Sequence, residues 1–271
     1  MKPEIFEPSS ELKEFVKCYW TLESLKDQTP KINTIVPDGT MKLIFHYGDS
    51  YKNHLENGEC YILPNCFLIG QLTRPFVVEP LGITGSFVVR FHPHGFSPFT
   101  TIPIKEMENT AIPLEKLFGK EGRKIGESIL NAKSTFERID IIETFLLNRL
   151  TDRTNIDNIV KSTVDTILTA KGHLSVNELS KQRNINRRQL TRKFSSTIGL
   201  SPKQLSKTIR LQNTLKTLLS KSNKSLTHLA YENEYYDQAH FIKEFKEFTG
   251  LTPKEFYGDD LKMSLIFESN D

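Results

Sequence analysis

The 271-residue sequence predicts an α+β protein. A small β-barrel or sandwich with helices is expected in the N-terminal half, and an all-α C-terminal part in which a long helix joins two helix-turn-helix modules. Three observations predict it. Short β-rich runs set off by turn residues fill much of the first hundred positions. The phrase Gly-Leu-Ser/Thr-Pro-Lys is written twice, at 199–203 and at 250–254. The positive charge is concentrated in the region that holds the phrase.

In the N-terminal half, Lys31–Val36, Met41–Tyr47, Phe67–Ile69, Phe76–Val78 and Ser86–Phe91 read as strands, the first two separated by the turn Pro37-Asp38-Gly39. Helices follow at Gly122–Asn131 and Phe136–Leu150. The second carries a stripe of Ile139, Ile142, Phe145, Leu146 and Leu150, which reads as core of its own domain in preference to a dimer seam. The polar stretch Thr151–Asn155 is the best interdomain break, dividing the chain into 1–152, 155–257 and a tail at 258–271. A helix over Ile156–Ala170 then turns Ile156, Ile159, Val160, Val164, Ile167 and Leu168 inward.

Sliding the chain on itself by 51 residues aligns Leu190 with Phe241, Phe194 with Phe245, Gly199 with Gly250, and Pro202 with Pro253. In each copy the apolar pair lies four apart, on one helical face, and the Gly that follows suits a left-handed helix stop. Ser201 or Thr252 then serves as N-cap, Pro202 or Pro253 as first helical residue, and Gln204 or Glu255 completes a capping box. Amphipathic segments at Val176–Gln182 and Leu226–Glu232 precede the two copies, giving helix, turn and helix twice. Between the copies, about 19 residues from Ser201 to Ser220 make a rod of roughly 28 Å, which predicts recognition helices about one DNA turn (~34 Å) apart.

Residues 1–170 carry 19 Lys and Arg against 22 Asp and Glu, residues 171–257 carry 16 against 7, and residues 258–271 one against four. A net charge of +3 thus hides one basic region, the footprint of a phosphate-bearing partner. The basic residues fall on the first module: 171–224 holds 13 with one acidic residue, 225–257 holds three with six. The first module is therefore expected to supply phosphate attraction and the second to add selectivity or touch RNA polymerase. With Asn186 as N-cap and Leu190 and Phe194 inward, Arg187, Arg188, Thr191 and Arg192 stay outside. Arg suits the O6 and N7 of guanine, Gln238 the N6 and N7 of adenine, and Thr191 or Ala239 a thymine methyl.

The segments INRRQLTRKFSSTIGLSPKQLSKTIRLQ (185–212) and SLTHLAYENEYYDQAHFIKEFKEFTGLTPKEF (225–256) resemble the paired helix-turn-helix domain of the AraC family of transcription regulators, over about 155–257. The resemblance implies a double-stranded DNA partner. It implies base-facing roles for Arg188, Thr191 and Arg192 in the first recognition helix (about 187–197) and for Gln238, Ala239, Ile242 and Lys243 in the second (about 237–248). The chain departs from the family at Glu234, where a Gly is usual; Asn233 takes the strain or the turn is rebuilt.

PDG (37–39), GQLTRPF (70–76) and FHPHGF (91–96) resemble the cupin-like sensory domains found in one branch of that family. This implies an N-terminal domain that senses a small-molecule effector or mediates association as a homodimer. Arg74 and Arg90 are then candidate contacts for an anionic ligand, or partners in an internal salt bridge to a residue such as Glu79. His92 and His94 share one strand face, as a metal requires. Pro93 intervenes, Gly95 suggests a turn and no carboxylate follows nearby, so the pair reads as hydrogen-bonded structural histidines and no cofactor is implied.

Two enzyme readings compete. DNA alkyl transfer needs activated thiolates, and Cys18, Cys60 and Cys66 lack the spacing for it. A cupin-type oxygenase needs a metal. No nucleophile elbow, phosphate loop or dinucleotide fingerprint occurs. No apolar run approaches the roughly 20 residues of a membrane span, and no leader precedes the chain, so a soluble cytoplasmic protein without a membrane partner is expected.

Overall fold

The computed structural model describes residues 4–24, 32–150, 157–219 and 237–258. Two antiparallel sheets face each other in the N-terminal part. The larger runs β1 (Glu4–Phe6), β2 (Val16–Glu23), β9 (Gly85–Phe91), β4 (Lys42–His46), β7 (Cys66–Ile69) and β10 (Ala111–Pro113). The smaller runs β3 (Asn33–Ile35), β8 (Phe76–Pro80), β5 (Tyr51–His54) and β6 (Cys60–Ile62). The larger sheet is buried on both sides. Cys18, Trp20, Ile44, Phe67, Ile69 and Val88 point toward the smaller sheet, while Tyr19, Leu43, Phe45, Leu68, Phe87 and Val89 point the other way. That second face packs under α1 (Leu114–Asn131) and α2 (Thr135–Arg149) through Leu114, Leu117, Ile125, Ile129, Ile142 and Leu146.

The expected strands appear with shifted ends, but β1, β2, β5, β6 and β10 carry no counterpart in the sequence-based reading. The first expected strand shortens to Asn33–Ile35, and Lys31 lies outside the described residues. The α1 helix begins eight residues earlier than Gly122 and is interrupted at Gly119, whose φ of 62° breaks the helical run. The stripe on α2 packs into the same domain, as expected.

The C-terminal part is helical: α3 (Asn158–Thr169), α4 (Val176–Gln182), α5 (Arg187–Thr197), α6 (Pro202–Leu219), α7 (Gln238–Thr249) and α8 (Pro253–Gly258). Val160, Val164, Ile167, Leu179, Leu190, Phe194 and Ile198 form one core with Leu205 and Ile209 of α6. Leu211, Leu215 and Leu218 of the same helix form another with Phe241, Phe245, Phe248 and Phe256. One strut therefore belongs to both modules. Leu168, expected inward, is 40% exposed, because the packed face of α3 runs through positions 160, 164 and 167. Ile156, the linker at 151–155, Leu226–Glu232, Asn233, Glu234 and the tail beyond Gly258 lie outside the described residues.

The two parts pack together at several points. Ile104, in a 3-10 turn after β9, abuts Gly199, where an added Cβ would lie 3.0 Å from its Cγ2. Pro75 lies 3.6 Å from the Cβ position of Gly250. The Pro37–Gly39 turn rests on α6, where Gln212 Nε2 donates to the Pro37 carbonyl at 2.6 Å. Val36 enters the core of the second module.

Candidate nucleic-acid interface

Each recognition helix is built by local chemistry. On α4, Ser175 and Glu178 form a reciprocal capping box. The turn passes through Asn184 at φ 50°, a left-handed position Asn tolerates. Asn186 then caps α5 by accepting from the Gln189 amide at 2.9 Å, as its position in the sequence suggests. Asp237 does the same for α7, accepting from His240 at 2.7 Å. The repeated phrase behaves as read. Gly199 and Gly250 take φ of 85° and 78°. Ser201 exchanges bonds with Gln204 at 2.9 and 3.2 Å, and Thr252 with Glu255 at 2.6 and 3.3 Å.

The basic residues of the first module divide into two sets. Arg183 turns inward and donates to the Ser162 carbonyl of α3 at 2.5 Å. Lys193 pairs with Asp157, the N-cap of α3. Lys207 and Arg210 of α6 hold Glu244 of α7 at 3.2 and 2.9 Å, and that carboxylate is 1% exposed. These cations serve packing. Arg187, Arg188 and Arg192 project from the outer face of α5, all exposed, and make no ion pair among the described residues. Thr191 is half-buried beside them. The structure thus brings the four outward residues of α5 onto one surface.

On α7, Gln238, Ala239 and Lys243 are exposed near the N-terminal end. Ile242 is half-buried and packs against the Phe241 and Phe245 core, so less of it reaches outward than its carried-over role implies. Sequence reasoning missed Glu244. Its place on a mostly polar helix gives no sign of burial, and its two cations lie more than 30 residues upstream.

In the N-terminal part, a small cavity of about 80 Å³ lies between the sheets, lined by Trp20, Ile44, Tyr51, Phe67, Phe76 and Val88 with the polar Lys42, His46 and Ser86. Neither arginine singled out in the sequence lines it. Arg74 is half-exposed, near Glu56 at 3.5 Å, on a separate cleft that also touches Gly250 and Leu251. Arg90, its side chain 11% exposed, pairs with Asp38 at 3.0 Å. Glu79, the partner considered from sequence, is held instead by His54 at 2.8 Å and Lys52 at 3.4 Å. The internal pair therefore exists with a different acid.

The histidine reading needs correction. The His92 and His94 rings stack at 5.9 Å, but among the described residues neither ring nitrogen of the buried His94 has a well-formed hydrogen bond. Burial, reinforced by His92, lowers the His94 pKa to about 4. Among the described residues no group of three or more His, Cys, Asp or Glu is placed to hold a metal ion, and no helix is long and apolar enough to cross a membrane. Burial raises the pKa of the Cys18 thiol and pushes that of Cys66 up to about 12, the reverse of what a nucleophilic thiolate needs; Cys60 is exposed.

Comparison with known proteins gives each part a relation of its own. Residues 179–258 match the profile of the helix-turn-helix domain, and residues 4–113 match a domain of unknown function (DUF6597). An uncharacterized HTH-type transcriptional regulator of Staphylococcus aureus (strain MSSA476) is 31% identical over 86 residues, which span 32% of this chain and 11% of that one. A second such regulator, from Haemophilus influenzae, is 27% identical over 152 residues, covering 53% of this chain and 51% of its own. The chain thus spans between about a tenth and a half of these relatives. Among solved structures, ToxT from Vibrio cholerae O395 aligns over 91% of this chain and 98% of its own, at 14% identity and a TM-score of 0.47. Residues 179–258 thus match a helix-turn-helix domain, and the β-rich part before it matches a different family model.

Proposed function

We propose that the protein is a sequence-specific DNA-binding transcriptional regulator, reading the major groove through α5 and α7 while its N-terminal domain senses a small molecule or mediates association. The carrying observation is the set of exposed guanidiniums on Arg187, Arg188 and Arg192, which make no ion pair among the described residues, beside a structurally neutralised set of neighbouring cations. A module that spends Lys193, Arg183, Lys207 and Arg210 on packing has no folding reason to keep three exposed arginines on one helix. Phosphates and guanine edges give it one. Thr191, Gln238, Ala239 and Lys243 complete the proposed base-facing surface, with Ile242 at its edge.

The divisions at 1–152 and 155–257 fit a sensory part and a DNA-gripping part. Arg74 and Arg90 are weaker ligand candidates than Lys42, which lines the cavity. RNA polymerase and a second copy of the chain remain proposed partners. The matched relatives favour a regulator over an enzyme, and the raised thiols of Cys18 and Cys66 weigh against alkyl transfer.

Selection of pooled genomic fragments by the purified protein, with affinity measured against salt, tests the DNA reading. One enriched motif is expected, with log affinity falling linearly in log salt. Enrichment of nothing over random sequence overturns it. Emission of Trp20, the single tryptophan, titrated with small carboxylates from acetate to benzoate, tests the sensory reading through the cavity it lines.

A further inference from the structure

Four consecutive residues tie the sensory part to the strut. Val36 completes the core formed by Leu211, Leu215, Phe241 and Phe245. The Pro37 carbonyl accepts from Gln212. Gly39 adopts φ 73°, and a Cβ there would lie 2.7 Å from Leu205 Cδ1, so the bare backbone itself rests on α6. Asp38 sits between them and is buried with Lys42 Nζ at 2.8 Å, Arg90 at 3.0 Å and the Thr40 hydroxyl at 2.8 Å. Lys42 and Arg90 face each other across β4 and β9, and Lys42 lines the cavity between the sheets. Lys42, a residue of the cavity wall, and the turn on the strut therefore meet at one carboxylate.

We propose that the Asp38 turn is a latch between the cavity and the second helix-turn-helix module. An acceptor or anionic head group entering the cavity engages Lys42 and weakens its hold on Asp38. The turn then loosens its grip on α6, and Val36 withdraws support from the α6–α7 core. This rests on the sensory reading of the N-terminal part. A buried carboxylate is sensitive to the loss of one counter-cation because its remaining partners, Arg90 and Thr40, must then hold its charge away from water. The contact surface is small and closely packed, so the disturbance passes as a discrete release and not as a gradual strain.

The test uses the full chain without ligand. Lys42→Met preserves the stem and leaves Arg90 as the remaining cation on Asp38. It is expected to raise hydrogen exchange in residues 36–40, α6 and α7 while α1 and α2 keep wild-type protection. Affinity for a pool of sheared genomic DNA is expected to fall several-fold, within the roughly 5–150-fold span of coupled sites. Coupling is reciprocal, so Gln212→Ala, made on the other side of the contact, is expected to raise exchange at 36–40 and shift the emission of Trp20. Exchange altered only within the barrel strands, with α6, α7 and DNA affinity at wild-type values, overturns the latch. If Lys42→Met does not fold, the Gln212→Ala arm decides alone: unchanged 36–40 exchange and Trp20 emission overturn it. Both arms are free of ligand, so their failure removes the latch and leaves the sensory reading to its own titration.

Discussion

Arg192 and Lys243 occupy corresponding exposed faces of the two recognition helices, yet their electrostatic surroundings differ. Arg192 belongs to a segment with 13 basic residues and one acidic, whereas Lys243 has Glu244 beside it and Glu247 one turn on. Arg192→Ala is expected to weaken operator binding by about 1–3 kcal/mol and to flatten the salt slope by about one unit. Lys243→Ala is expected to cost far less; equal losses in a salt-controlled gel shift refute the asymmetry. Two buried histidines make a second prediction. Burial holds His46 and His94 near a pKa of about 4, well below the ordinary value near 6.5. Between those limits the unfolded chain binds more protons than the folded one. Stability therefore falls as pH drops from about 6.5 to 4, by on the order of 3 kcal/mol for each histidine. Melting temperatures across that range are expected to show the loss, and His94→Phe to reduce it. At this scale the outward arginines were legible because Leu190 and Phe194 fix the face of α5. The fate of Lys193, Arg183 and Glu244 was not, because their partners come from distant elements.

The elements that could be read most fully from sequence were those with their own chemical punctuation. Asn186, Asp237, Ser201 and Thr252 each bond the backbone amide three residues on. Thr252→Ala removes one such cap from α8 and is expected to destabilise the protein by about 1 kcal/mol, whereas Thr252→Ser restores most of it. Chemical denaturation checks both; an unchanged midpoint in Thr252→Ala contradicts the capping role. Strands were harder to read, for two opposite reasons. In β2, the run Cys18–Thr21 is buried throughout, so no alternation marks it as half-exposed. β6, Cys-Tyr-Ile, is the edge strand of the smaller sheet and β5, Tyr-Lys-Asn-His, lies next to it, and the identity of both depends on neighbours and not on their own hydrophobicity. Lys42 shows the limit clearly: a lysine in a strand signals exposure, yet here Asp38 makes burial tolerable and is itself held at about pKa 2, burial raising it and Lys42 and Arg90 together lowering it further.

Across the whole molecule, one helix sets the spacing of the two modules proposed to meet DNA. α6 gives Leu205 and Ile209 to the first module and Leu211, Leu215 and Leu218 to the second. Its 18 residues measure about 27 Å. Two subsites about 10 base pairs apart, on one face of the duplex, are therefore expected in footprints. Adding five base pairs between them is expected to turn one subsite away and reduce binding to that of a single module; tolerance of the insertion counts against a rigid strut. The duplication predicted two similar grips, but not that the barrel touches both of their closing corners, Gly199 through Ile104 and Gly250 through Pro75. Nothing in either repeat names its distant neighbour.

Val36 belongs by sequence to the barrel and by packing to the second module. Expressed from residue 157 onward, the helices would possess every side chain proposed to meet DNA and still lack a plug among Leu211, Leu215 and Phe245. Such a fragment is expected to melt earlier than the intact chain, bind hydrophobic dyes and recover when a peptide carrying residues 33–40 is supplied at high concentration. Genetic dissection by simple truncation would then mistake a missing wedge for a missing signal.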